Sequence, residues 1–306
     1  MLGLVIKSTG SICLVKTEDG QKIQCTIRGK LRLSGSKSTN PVVVGDWVKI
    51  QSEGDQRNIS EIEERKNYIV RKSVNLSKQT HVIAANLDQT LLVVTLINPK
   101  TNTEFIDRYL CTAEAYRIPA VIVFNKVDIY SPELLKTVND LILVYEKIGY
   151  KCIVVSAKTG TGIEELKKLL TNKVSLISGN SGVGKSSIIN VTEPGFKLKV
   201  AEISASHLRG KHTTTFSEMH ELSIGGYVID TPGIKGFGIV NIGNEELFHF
   251  FPEMFRITNK CQYYNCTHIH EPNCAVRLAV ESGEIADSRY VSYINILYDE
   301  NEKHRK

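Results

Sequence analysis

Gly179-Asn180-Ser181-Gly182-Val183-Gly184-Lys185-Ser186 carries the spacing G-x-x-x-x-G-K-[ST]. The octet follows an apolar run, Val174–Ser178, and opens a stretch of helical character from Lys185. Glycines in such a turn let backbone N–H groups point inward around phosphates, and a helix N-terminus adds a favourable field for an anion. The pattern predicts that Lys185 reaches the β- and γ-phosphates of a nucleotide. It also predicts that the Ser186 hydroxyl coordinates Mg²⁺, with Ser187 adding a further nucleotide contact. A chance glycine-rich turn would lack the strand before it and the helix after it.

Downstream, Asp230-Thr231-Pro232-Gly233 ends the apolar strand Tyr227–Ile229. At that distance from the loop, Asp230 suits a second Mg²⁺ contact through water, and Gly233 suits a sensor of the γ-phosphate. Upstream, Asn125-Lys126-Val127-Asp128 follows the strand Ala120–Phe124, and Ser156-Ala157-Lys158 ends the next one, Cys152–Val155. A carboxylate at Asp128 can accept from guanine N1–H and from the exocyclic amine. Adenine has no donor at either position, so it would leave a carboxylate unpaired. Asn125 supports this loop, the Lys126 stem packs over the base, and the Ser156–Lys158 backbone faces guanine O6.

Each motif is weak alone, but all four fall at the ends of expected strands, where open α/β sheets bind ligands. Strand runs (Thr90–Leu96, Ala120–Phe124, Cys152–Val155, Val174–Ser178) alternate with helical ones (Glu104–Tyr116, Pro132–Ile148, Gly162–Leu170). That alternation predicts a parallel sheet covered on both faces. The base motifs precede the phosphate motifs, the reverse of the usual order. Circular permutation explains this, since old termini can be joined and new ones opened without moving a strand. Permutation also leads the segment after Gly233 straight into the C-terminal region.

The flanks differ in texture. Residues 1–66 alternate short β-rich runs (Ile12–Lys16, Lys22–Ile27, Asp46–Ile50) with polar turns, which predicts a small barrel or sandwich. Residues 67–240 hold the nucleotide motifs, and 241–306 form an aromatic-rich, helical segment around a cysteine cluster. The net charge of +5 gathers at the start: residues 1–72 carry 13 Lys and Arg against 8 Asp and Glu, and the remainder is neutral. A basic segment of this kind suits an anionic partner such as nucleic acid. No apolar run reaches the roughly 18 residues of a membrane span. The N-terminus lacks the pattern of a signal peptide, so a cytoplasmic protein is the expectation. Of seven cysteines, Cys13, Cys25, Cys111 and Cys152 are scattered in apolar surroundings. Cys261, Cys266 and Cys274 crowd together, which in a reducing compartment points to metal.

Taken together, these motifs resemble the small-subunit-dependent bacterial GTPases of the RsgA/YjeQ type, over nearly the whole chain. The motif order carries the resemblance, with Gly210-Lys211-His212-Thr213-Thr214-Thr215, similar to that family's first switch loop, and the run Glu271-Pro272-Asn273-Cys274-Ala275-Val276. It implies an OB-fold N-terminal domain, a central GTPase and a small zinc domain. The implied activity is GTP hydrolysis stimulated by the small ribosomal subunit, late in that subunit's maturation. Partners would be the 30S subunit and 16S rRNA, with no membrane involved and the protein a monomer.

By the same resemblance, Thr214 would bind Mg²⁺ and the γ-phosphate. Where many GTPases place a water-orienting Gln, this chain has Ile234, which cannot do so. His212 is then the candidate water-positioner. Cys261, Cys266, His268 and Cys274 supply the Cys₃His set common in structural zinc sites; His270 competes with His268, and the family pattern favours His268. Phosphate and shape contacts from Lys22, Arg28, Lys30, Arg32 and Lys37 would serve RNA better than stacking, aromatics being few there. A rival reading is a GTP-switched RNA-binding scaffold in which hydrolysis is incidental.

Overall fold

The structure, a computed structural model, describes residues 1–28, 41–54, 56–72, 80–196, 218–230 and 243–304. Five strands come first: β1 (Leu2–Ser8), β2 (Ile12–Thr17), β3 (Lys22–Ile27), β4 (Trp47–Glu53) and β5 (Gln56–Ile62). They run in the order β1-β2-β3-β5-β4, and β4 returns to pair with β1, which closes a barrel. Only the β3–β5 pairing is parallel. Strict alternation in β3 sends Ile23, Cys25 and Ile27 inward, where they meet Val5, Cys13, Val15, Val48 and Ile59. Of the barrel and sandwich left open by the short β-rich runs, this is the barrel, in the OB-type form that the family resemblance implies. A two-stranded ribbon, β6 (Tyr68–Lys72) with β7 (Thr80–Ala85), leads out of it.

The central sheet is built from β8 (Gln89–Val94), β9 (Ala120–Phe124), β10 (Lys151–Val154), β11 (Val174–Ser178), β12 (Glu218–Glu221) and β13 (Tyr227–Asp230). Its order is β10-β9-β8-β11-β13-β12, all parallel except β12. The chain steps outward from β8 to β10, then returns past its start to β11 and β13. Because the five strands are parallel, their C-terminal ends share one edge of the sheet.

Four helices cover this sheet: α1 (Thr103–Ala115), α2 (Pro132–Ile148), α3 (Ile163–Leu170) and α4 (Lys185–Thr192). Local signals set their ends. The Asn102 side chain accepts from Phe105 N–H at the start of α1, and Ser131 does the same for Leu134 ahead of Pro132 in α2. Gly149, at φ 118°, stops α2. Alternate residues of the strands divide between two cores. Leu92, Val94, Ile122 and Phe124 pack with Ile106 and Tyr109 of α1 and Tyr145 of α2. Leu91, Val93, Val121 and Val123 pack with Leu166 of α3 and Ile188 of α4.

Beyond residue 243 lie α5 (Pro252–Phe255), α6 (Ala275–Glu281) and α7 (Asp287–His304), around a third core of Phe251, Met254, Val276, Tyr293 and Ile296. Cys111 of α1 belongs to this core as well, so the C-terminal helices sit on the central unit. On the other side β12 pairs with β1, Lys7 opposite Glu218, which makes the barrel and central sheet continuous.

Candidate nucleotide site and metal cluster

The loop after β11 runs from Gly179 to Gly184 and enters α4 directly. Gly184 has φ 97°, and a Cβ there would stand 2.4 Å from Asn125 Nδ2; at Gly179, φ 139°, a Cβ would stand 2.3 Å from the Val93 carbonyl oxygen. Both positions need glycine for space as well as for backbone angle. Val183 is buried in the core beneath and anchors the loop, while Ser181 and Gly182 are exposed at its tip, Asn180 and Ser187 half-buried. Lys185 and Ser186 are buried in the first turn of α4, whose start has no side-chain cap. Lys185 Nζ donates to the carbonyls of Gly179 (2.7 Å) and Asn180 (2.9 Å). The cation thus lies within the loop, held by acceptors that phosphate oxygens can replace.

The loops after β9 and β10 meet this one. Asn125 is buried; its Nδ2 donates to the Val183 carbonyl at 2.8 Å and its Oδ1 accepts from the Ala157 N–H at 3.4 Å. One side chain therefore joins the phosphate loop, the N-K-x-D turn and the S-A-K turn. Lys126, left-handed at φ 66°, donates from Nζ to the carbonyls of Asn98 (2.5 Å) and Gly182 (2.7 Å). Val127 opens a short turn that ends at Ile129 and leaves Asp128 exposed. The carboxylate of Asp128 accepts from the buried Ser156 hydroxyl at 2.6 Å, and that oxygen in turn accepts from Thr159 N–H at 3.1 Å. Lys158 is exposed beside them. Asp230 is the last residue of β13, in register with Ile177 of β11. His212, Thr214, Gly233 and Ile234 lie outside the described residues, as do Lys30, Arg32 and Lys37.

The C-terminal unit brings Cys261, Cys266, His268 and Cys274 together, with one donor atom from each inside a 4.8 Å span. His268 Nδ1 stands 3.4 Å from Cys274 Sγ and 3.7 Å from Cys261 Sγ. Tetrahedral zinc, with Zn–S about 2.3 Å and Zn–N about 2.0 Å, sets nitrogen and sulfur roughly 3.6 Å apart. His268 adopts φ 64° to reach this position, whereas His270 is exposed and outside the group. Burial holds the His268 pKa down, which favours the neutral, ligating ring, and burial pushes the Cys266 thiol up to about 12.

The pattern defining the RsgA GTPase family matches residues 62–240, and that of the RsgA N-terminal domain matches residues 2–59. The chain belongs to the RsgA GTPase family. A relative from Bacteroides thetaiotaomicron, named small ribosomal subunit biogenesis GTPase RsgA 2, is 57% identical over 99% of this chain and 98% of its own. One from Christiangramia forsetii, named small ribosomal subunit biogenesis GTPase RsgA, is 53% identical over 100% and 98%. Among solved structures, YjeQ from Thermotoga maritima superposes with a TM-score of 0.79 at 38% identity, covering 97% of each chain. YloQ, described as a circularly permuted GTPase, gives 0.76 at 30% identity over 100% of this chain and 96% of its own.

As a member of the RsgA family the chain is a GTPase, and its permuted fold is that of YjeQ and YloQ. Two supports of the site escape the motifs. The Tyr130 hydroxyl accepts from Leu96 N–H and donates to the Asn125 carbonyl, both at 2.8 Å, and so pins the base turn to the end of β8. The turn after β8 brings Asn98 against Lys126 and Pro99 against Gly182. The available signal was positional: this turn ends the remaining parallel strand of the same edge. No helix of the described residues is long and apolar enough to cross a membrane.

Proposed function

We propose that the chain binds GTP with Mg²⁺ at the loops after β9, β10, β11 and β13, and hydrolyses it when docked on the small ribosomal subunit. The observation that carries this reading is Asn125, whose amide ties the phosphate loop to both base turns. In the bound state Lys185 turns from its own loop carbonyls to the β- and γ-phosphates, and the uncapped N–H groups of α4 face the same anion. Mg²⁺ would neutralise charge developing on the phosphate oxygens, held by Ser186, Thr214 and, through water, Asp230. Asp128, oriented by Ser156, accepts from the guanine edge, and an adenine there leaves that carboxylate unpaired. His212 orients the attacking water in place of Ile234, and Gly233 senses the γ-phosphate.

The ribosomal part rests on the names of relatives at 53–57% identity and on the basic barrel. In this reading 1–66 is the RNA-binding barrel, 67–240 the GTPase and 241–306 the zinc-binding unit; the protein contacts 16S rRNA and is a cytoplasmic monomer. Cys261, Cys266, His268 and Cys274 fill all four positions of a zinc ion, so the metal is structural. The test is GTP turnover by the purified chain alone, with 30S subunits and with 50S subunits. A rise of at least tenfold with 30S alone is the expected result. Equal, slow turnover in all three conditions with tight GTP binding would favour the scaffold reading instead.

A further inference from the structure

Between the ligands Cys261 and Cys266 the chain makes a four-residue loop, Gln262-Tyr263-Tyr264-Asn265, that carries no part of the cluster chemistry. Tyr264 is 101% exposed and Tyr263 41%. Isolated apolar residues on a surface are ordinary. This pair differs because its loop is held still. Cys261 N–H donates to the Thr258 carbonyl, Cys266 N–H to the Tyr263 carbonyl, and Asn273 Nδ2 to Gln262 Oε1. Both ends of the loop, Cys261 and Cys266, are also members of the cluster, so a bound metal would fix them.

The sequence around the loop is one-sided in charge. From Met254 to His270 there is no Asp or Glu, while Lys260 and His270 are exposed and Arg256 donates to the Ile148 carbonyl. The carboxylate that follows, Glu271, is turned inward and accepts from the Thr267 hydroxyl and from the N–H groups of Thr267, Ile269 and His270. Amide side chains at Asn259, Gln262 and Asn265, all exposed, flank the rings. A rigid aromatic face, amides able to meet base edges, and cations without carboxylates together form the chemistry that holds unpaired bases.

We infer that Tyr264, supported by Tyr263, is a stacking platform for an unpaired base of the RNA on which this chain acts, presented by the metal-anchored loop. The inference rests on the ribosomal reading above and adds a residue-level contact to it. An apolar pocket on a ribosomal protein is the competing partner, and the substitutions separate the two.

The experiment uses the full zinc-loaded chain and measures its affinity for 30S subunits. Stacking on one base sets the scale: Tyr264→Ala should weaken binding between about 5- and 100-fold. Tyr264→Phe should stay within about twofold, because the ring remains, and Tyr264→Leu should fall with Ala, because an aliphatic chain offers no π-face. Basal GTP turnover and one zinc per chain should be unchanged in all three, which separates a lost contact from a lost fold. A second arm puts Tyr264→Trp in a Trp47→Phe background, Trp47 being the only native tryptophan. Its emission should be quenched by a 12-nucleotide oligoadenylate, a probe of stacking independent of the ribosome.

Affinity within twofold of wild type for Tyr264→Ala would overturn the inference. So would full affinity for Tyr264→Leu, the signature of an apolar protein pocket. If wild-type chain fails to bind 30S, the ribosomal reading falls by itself, and unquenched emission from the Tyr264→Trp chain then removes the stacking platform too.

Discussion

The central sheet is joined to its neighbours on two sides, and the joints are built differently. On the barrel side, backbone pairing of β1 with β12 is backed by apolar burial: Leu4, Ile6 and Val44 share a core with Met219 and Ile229. The charges there are peripheral. Lys7 meets Glu218 at 2.9 Å and Lys16 meets Glu221 at 2.5 Å, with side chains 22–44% exposed. On the C-terminal side a charge sits at the centre. Arg289 of α7, 1% exposed, donates to Asp107 of α1 (2.8 Å) and Glu253 of α5 (2.6 Å), with its guanidinium 4.6 Å above the Phe251 ring. The Tyr145 hydroxyl also donates to Asp107, at 2.9 Å. Burial pushes the Asp107 carboxyl up against the pull of Arg289, while the two carboxylates hold Arg289 protonated against its own burial. An apolar joint degrades gradually when its charges are removed. A joint centred on a desolvated ion breaks when one partner goes.

Removal of the zinc proposed for the Cys₃His cluster should break the comparison most severely. Helix α7 is tied to the metal loop by Tyr290, whose hydroxyl donates to the His268 carbonyl, and by Tyr293, which donates to that of Thr267. Structural zinc contributes on the order of 10 kcal/mol to small units of this kind. A strong chelator should therefore abolish hydrogen-exchange protection across residues 252–298, Arg289 included, while β1 to β5 keep theirs. Protection of α7 that survives metal removal would show that packing alone holds this joint.

Next in size is Arg289→Ala. It leaves the buried Asp107 and the partly buried Glu253 without their cation, and the expected loss is about 3–5 kcal/mol in the unfolding transition of the C-terminal unit, read by urea denaturation. The informative companion is Arg289→Met with Asp107→Leu and Glu253→Met, which removes all three charges and should recover most of that loss. If the triple variant is as unstable as the single one, the ion network contributes attraction of its own and the joint is not merely sensitive to imbalance.

Sequence reading caught the half of this architecture that repeats a rule. Strands Ala120–Phe124 and Val174–Ser178 were legible because each is an apolar run followed by loop chemistry, and Pro132–Ile148 because Ser131-Pro132 and Gly149 mark its ends. Strands outside such patterns were not. Residues of β1 are buried on both faces almost throughout, wedged between barrel and central core, so they do not alternate. Strand β5 is mostly polar, and β12 is four residues, Glu-Met-His-Glu, whose place comes from its neighbours. In the nucleotide site the motif residues were readable, while Tyr130 and Asn98 were not: the Tyr130 hydroxyl bonds only to backbone and Asn98 offers only its backbone carbonyl, and neither leaves a spacing signature. Arg289 was invisible for a related reason. Nothing local distinguishes a buried arginine on α7 from a solvated one; its partners lie 36 and 182 residues away.

The smallest effect belongs to the barrel joint and tests whether its charges matter at all. Hydrogen bonding to Glu221, then to Tyr227, raises the Lys16 pKa from its ordinary 10.5 despite slight burial. A raised lysine contributes stability that is fully present below about pH 10.5 and is lost as pH rises through the folded value. Between pH 6 and 10 the difference between wild type and Lys16→Gln should thus be flat, and it should close only above that range. Its size should not exceed about 1 kcal/mol, because an exposed pair gives back most of its attraction to solvent and side-chain entropy. Added salt at 1 M should shrink it further, since screening at that ionic strength acts over about 3 Å. A loss of several kcal/mol, insensitive to salt, would mean that the β1–β12 seam relies on its ion pairs as the Arg289 joint does, and the contrast between the two sides would fail.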